Sequence, residues 1–158
     1  MKNKVQRLEK DLTAIVESLE KYEKELSDWK ANITLDNKNI EIANIEQVSW
    51  LAYYDEIKVQ LKIMLDYMDY LLKEQKSQAM KLLYNTMQKS VSDRAIEKLA
   101  EDNKRYKNLF VLYLEVKELY MVAESIVFQL QQRAYSINNI IKIREKELEN
   151  VTLHMDND

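Results

Sequence analysis

Apolar residues recur at a 3–4 spacing along most of the chain. The longest series is Leu109, Leu112, Val116, Leu119, Ala123, Ile126, Leu130, Arg133, Ile137, Ile140 and Arg144. That spacing places the series on one side of a helix packed in coiled-coil fashion. A flanking stripe of Tyr106, Phe110, Tyr113, Tyr120, Val127, Ala134 and Ile141 widens the face beyond a two-stranded seam. This helix is therefore expected to touch two or more others. Near the N-terminus, Val5, Leu8, Leu12, Ile15, Leu19, Tyr22, Leu26 and Trp29 keep the same spacing between mostly charged neighbours. Residues 3–30 thus read as a coiled-coil helix with a narrow seam, which needs a partner helix. Between the two, residues 37–89 carry a third series: Leu51, Tyr54, Leu61, Leu65, Met68, Leu72, Ala79 and Leu82, flanked by Ile57, Met64 and Leu71 and interrupted by Lys58 and Gln75.

Breaks separate these patterns. In Asn32 to Asn37 the Asn, Thr and Asp side chains compete with the helix for backbone hydrogen bonds, and Asp36 is the candidate cap of the next helix. At Ser90 to Asp93, Ser92 reads as an N-cap, Val91 and Ile96 as a hydrophobic staple, and Asp93 as a favourable first-turn acid. Asp102-Asn103 offers a further break. A helix follows to about Val151, with Thr152 to Asp158 expected to fray. The expected fold is all-α: an elongated antiparallel helical hairpin over 32–158 with an N-terminal heptad helix over 1–31. At ~1.5 Å per residue the middle helix would be roughly 80 Å long. So thin a rod cannot bury every apolar stripe alone, and self-association is expected.

Composition sharpens this picture. The chain has no glycine, proline or cysteine, whereas an ordinary chain of this length holds roughly 11 glycines and about 8 prolines. Few tools remain for tight turns or glycine C-caps. Glycine-rich phosphate loops are excluded, as are disulfides and cysteine-ligated zinc. The one histidine, His154, lies in the tail, so no serine has a base to activate it. Carboxylate pairs such as Asp66/Asp69 and Glu115/Glu118 read as solvated helix faces, because a di-iron bundle needs a Glu-x-x-His pattern that is absent. A non-enzyme without cofactor or metal is expected. The longest apolar run, Leu109 to Leu114, falls far short of the roughly 18 residues of a membrane span. The first ten residues lack a signal-peptide core, which suits a cytoplasmic location.

Net charge is −3, yet the charges are segregated. Residues 75–92 hold Lys76, Lys81 and Lys89 and no acid; residues 125–144 hold Arg133, Lys142 and Arg144 and no acid. Single-stranded nucleic acid is bound by cations on phosphates and aromatic faces on bases. In an antiparallel hairpin whose facing positions sum to about 182, Trp50, Tyr53 and Lys58 lie near Tyr135, Arg133 and Glu124. Alternatively, Trp50 and Tyr53 pack against the first helix, and Arg133 pairs with Glu41, Glu46 or Asp55. For Arg133 three surroundings are open: an acid on the middle helix, an oligomer channel, or a phosphate.

Two motifs carry a resemblance. Leu61-Lys62-Ile63-Met64-Leu65-Asp66-Tyr67 resembles the Leu-Lys-x-x-Leu-Asp-Tyr motif of the UvsY recombination mediators of T4-like bacteriophages. The run Arg133-Ala134-Tyr135-Ser136-Ile137-Asn138-Asn139-Ile140-Ile141-Lys142-Ile143-Arg144 is similar to that family's terminal arginine, aromatic, Ile-x-x-Ile, arginine pattern. Ile33-Thr34-Leu35-Asp36, leading to Asn39, Glu41 and Ala43, is similar to its N-terminal segment. Met64 and Met68 stand where the family has a second basic residue and an aromatic. The resemblance implies a ring-shaped homo-oligomer that binds single-stranded DNA and helps a RecA-like recombinase displace the single-strand-binding protein. It also implies a DNA contact at Lys62. The expected DNA-contacting residues are Lys62, Arg133, Tyr135, Lys142 and Arg144, with Trp50 and Tyr53 as stacking candidates. The competing expectation is a coiled-coil adaptor or structural protein that binds only protein partners.

Overall fold

A computed structural model describes residues 2–33, 39–87 and 91–155, with side chains over 12–33, 39–87 and 91–147. Among these residues all regular structure is helical, as the spacing requires. The elements are α1 (Lys2–Ser27), α2 (Trp29–Asn32), α3 (Ile40–Thr86), α4 (Asp93–Glu101) and α5 (Lys104–Met155). None of the described helices is long and apolar enough to cross a membrane.

Local chemistry explains the boundaries. The first helix stops at Ser27, short of residue 30. There the Ser27 hydroxyl donates to the Lys24 carbonyl at 2.7 Å, one of the side-chain bonds that compete with helix continuation. One short turn follows as α2, held by Asn32 and Ile33 amides on the Asp28 and Trp29 carbonyls. The cap of α3 is Asn39, whose Oδ1 accepts the Glu41 amide at 3.0 Å. Asp36, expected in that role, lies outside the described residues, as do Ser90 and the side chain of His154. Asn39 does what an Asx N-cap does, satisfying an otherwise orphaned first-turn N–H. Asn103 repeats the device for α5, accepting the Arg105 amide at 2.9 Å. The possible break at Asp102-Asn103 is thus a real one. Ser92 precedes α4 in extended geometry, but its side chain makes no capping bond; its carbonyl accepts from Ala95 and Ile96. With no glycine or proline to stop it, α5 continues to Met155, past the expected end near Val151.

The chain forms two compact units. The first comprises residues up to Glu23 together with Val59–Met121; the second comprises Lys24–Lys58 with Val122–Asp158. In the first unit the core is Ile15, Leu19, Leu61, Met68, Leu71, Leu72, Ala79, Ile96, Ala100, Leu109 and Val116. Most of these are seam positions, and each large one contributes roughly 1.5–3 kcal/mol by burial. The short α4 is pinned to α3 by Lys76, whose ammonium meets Glu97 at 2.5 Å and Glu101 at 2.7 Å. Those two carboxylates hold the ammonium's pKa well above its ordinary value. Nearby, the Tyr84 hydroxyl donates to Asp93 at 2.6 Å.

In the second unit the core is Leu26, Ala43, Tyr54, Ile57, Ala123, Ile126, Val127, Leu130 and Ile137, plus one buried polar residue, Gln47. Its amide Nε2 donates to the Leu130 carbonyl at 2.5 Å. A polar group inside an apolar seam fixes register at a cost in stability. Leu82 and Ile140, both seam positions by spacing, are exposed instead.

Two substitutions test these cores by circular-dichroism melting. Gln47→Met keeps the volume and removes the amide, and is expected to be neutral or stabilising by about 1 kcal/mol. Leu19→Asp places a carboxylate in the seam and is expected to cost several kcal/mol. An unchanged melting midpoint for Leu19→Asp would show that α1 is not packed in the first unit.

Candidate nucleic-acid interface

The expected contact residues fall into different surroundings. In the first unit Lys62 is exposed on α3 and bound to Asp66 at 2.8 Å, one helical turn away. Its ammonium also feels Tyr113 and Tyr120 of α5, and the Asp66 hydrogen bond foremost raises its pKa. The pair is exposed on both sides, a geometry that contributes little to stability and yields readily to another anion.

The other candidates belong to the second unit. Trp50 and Tyr53 form a cluster with Tyr54. Trp50 lies stacked on Tyr54 at 6.0 Å, and Tyr53 meets Tyr54 edge-on at 5.2 Å. Tyr54 is fully buried, and its hydroxyl accepts from Asn32 Nδ2 at 3.3 Å. Trp50 is half-buried and Tyr53 partly exposed, and through Tyr54 the cluster is tied to Asn32 at the end of α2. Burial, opposed by the Asn32 hydrogen bond, raises the Tyr54 pKa.

Arg133 is half-buried, and its guanidinium donates to the Ile33 carbonyl just past the end of α2. It is a C-terminal cap, of the kind basic side chains provide for the last carbonyls of a helix. Burial pulls its pKa below the ordinary value, while Glu46 opposes the shift through its charge. None of the three expected surroundings for Arg133 anticipates a backbone carbonyl as its hydrogen-bond partner. The reason is its position one turn along α5 from Leu130, where the chain leaving α2 passes. The register also differs. Facing positions were expected to put residue 135 opposite residue 47, whereas Gln47 meets Leu130, about a turn and a half earlier.

Tyr135, Lys142 and Arg144 are exposed on α5. Tyr135 and Lys142 stand one heptad apart and so share a face. A further heptad back is Phe128. It is 58% exposed, and Tyr135 is 66% exposed. This outward line of two aromatics and a cation sits on the side of α5 away from Ile126, Leu130 and Ile137. Sequence reading passed over Phe128 because attention to the seam hides what stands opposite it; the heptad interval to Tyr135 was the available signal. Aromatic faces in line with a cation, on a stretch without acids, match the chemistry of a strand-binding surface.

Compared with family models, curated proteins and solved structures, the chain matches none.

A titration tests the buried cluster. A tyrosine whose folded pKa is raised keeps its full contribution to stability below its unfolded value, here 10.0. That contribution is lost as pH rises from there through the folded-state pKa. Melting midpoints measured from pH 8 upward should therefore fall above pH 10.0, and Tyr54→Phe should blunt the fall. An identical alkaline profile for Tyr54→Phe would show that this hydroxyl is not buried.

Proposed function

We propose that the protein is a non-enzymatic, phage-type recombination mediator. It binds single-stranded DNA as a multimer and assists loading of a RecA-like recombinase against the single-strand-binding protein. The observation that carries the DNA-binding part is the exposed line Phe128, Tyr135 and Lys142 on α5, within residues 125–144, which hold three basic residues and no acid. The motif resemblance over residues 61–67 and 133–144 supports the mediator part. In this reading Tyr135 and Phe128 stack on bases, and Lys142 and Arg144 meet phosphates. Arg133 acts at one remove by holding α2, and Lys62 exchanges Asp66 for a phosphate. One protomer offers few cations, so affinity comes from repetition around an oligomer. The antiparallel hairpin and the self-association expected from the apolar stripes are part of the same proposal. Exposed Ile42, Ile45 and Val48 on α3 supply apolar surface for assembly.

A second reading is a coiled-coil adaptor that binds protein only. The engagement of Arg133 with the Ile33 carbonyl and of Lys62 with Asp66 favours it. So does the same exposed apolar surface.

Gel shift with a single-stranded oligonucleotide across a salt series, with mass measured by light scattering, separates the two. Binding is expected to weaken steeply with salt. Lys142→Ala and Arg144→Ala should each lower the salt slope by roughly 0.7 for every phosphate the side chain neutralises. Tyr135→Ala should reduce affinity by about 1–3 kcal/mol for each base it stacks. Arg133→Ala should act first on stability, lowering the melting midpoint. No shift at low salt, from a protein of unchanged helicity, would leave the adaptor as the better reading.

A further inference from the structure

Within the first unit a groove runs between α3 and α5, and its Tyr113 also lies within electrostatic reach of Lys62. Its α5 wall is an aromatic ladder. Tyr106 and Phe110 lie 6.3 Å apart with ring planes 7° from parallel, and Phe110 and Tyr113 lie 6.1 Å apart at 19°. Its α3 wall is Asp69, Leu72, Lys73 and Lys76, and the hollow between the walls has a volume of about 280 Å³. A second hollow of about 340 Å³ shares Lys73 and Lys76 and continues along α3 past Lys81 to Tyr84. One side is thus a row of aromatic rings and the other a row of lysines at helical spacing.

The charges select the occupant. Asp69 is the acid in the lining, and it holds Lys73 at 2.5 Å in a pair with the lysine 76% exposed. Such a pair is weak enough for a phosphate to take over the lysine. Lys76 is committed to Glu97 and Glu101 and supplies structure rather than a contact. Lys81 comes from the acid-free stretch 75–92, and Lys104, Arg105 and Lys107 flank Tyr106, with Asp102 bonded to Lys107 at 2.9 Å. Counting all of these, together with Asp93 bonded to Tyr84 at the far end, six cations stand against five acids. Phe110 is 41% exposed, so a base has a ring to lie against.

We propose that this groove is a second binding track for single-stranded nucleic acid, with bases on Tyr106, Phe110 and Tyr113 and phosphates on Lys73 and Lys81. It rests on the reading of the protein as a strand binder and adds a surface outside the Phe128 to Lys142 face. Parallel rings rising along one helix suit consecutive bases of any sequence, so the track is expected to be sequence-tolerant.

The test uses the full chain and a fluorescein-labelled oligothymidylate, read by anisotropy across a salt series. Phe110→Ala is expected to weaken binding at least fivefold, the lower end of what one stacked base contributes. Lys73→Gln should lower the salt slope by roughly 0.7. Both positions are exposed, and circular dichroism should show unchanged helicity. Photocrosslinking from iodouridine in the same oligonucleotide should label residues within 105–117 in addition to residues within 118–142. Wild-type binding with both variants at wild-type affinity, and no label on 105–117, overturns this inference and leaves the strand-binding reading standing. Absence of any wild-type binding overturns both. If a proline-rich peptide binds in a Phe110-dependent way and the oligonucleotide does not, the groove is a peptide site and the inference is wrong.

Discussion

In both units the constraint on which the packing depends is the apolar seam that α5 supplies from Leu109 to Ile137. From Leu109 to Ile137 a buried residue returns every three or four positions, except where Leu112, Leu119 and Arg133 are only half-buried. No glycine or proline breaks the helix that carries this seam, and without them the chain has no cheap way to do so. The other helices contribute buried residues to the same two units. In the first unit these are Leu61, Met68 and Leu72 from α3, Ile96 and Ala100 from α4, and Ile15 and Leu19 from α1. In the second unit the offer from α3 includes a polar residue, Gln47, and the answer from α5 is a backbone carbonyl rather than a side chain.

How much of this was legible follows from what periodicity encodes. Spacing identifies which side of a helix is apolar, so Ile15, Leu19, Tyr54, Leu61, Met68 and Val116 are recognisable as core from the sequence alone. It cannot say where a seam ends. Leu82 and Ile140 continue the pattern and are exposed, because burial also needs a partner alongside. Caps were half legible. Asn, Asp and Ser were located at the right breaks, but several such residues occur within a few positions. Which of them caps is decided by where the backbone turns, and Asn39 and Asn103 did so.

Site residues were less legible than the core. Surface cations such as Lys142 and Arg144 are exposed, as solvated positions beside a seam tend to be. Arg133 shows what periodicity leaves unspecified. Its place in an apolar series announced an unusual environment, and half-burial with a lowered pKa agrees. Its partner, the Ile33 carbonyl, carries no side-chain signature and lies a hundred residues away in sequence. The aromatic ladder of Tyr106, Phe110 and Tyr113 was visible as a stripe. That the stripe lines a groove beside lysines depends on the placement of α3, which spacing on α5 alone does not specify.

The distance in sequence between contacting groups has a kinetic side. Lys76 reaches Glu97 across 21 positions, whereas Gln47 reaches Leu130 across 83. Loop-closure entropy grows by about 0.6 kcal/mol for each doubling of loop length, so the contact in the second unit costs roughly 1.2 kcal/mol more to close from an open chain. Once α4 has docked on α3, the intervening chain is already shortened, and that difference shrinks. The short α4 with its lysine clasp therefore does more than fill a corner of the first unit. By loop entropy alone that clasp is the cheaper contact to close, and closing it shortens the stretch of chain that the Gln47 contact must span. Because the chain has no proline, no prolyl isomerisation slows that sequence of events.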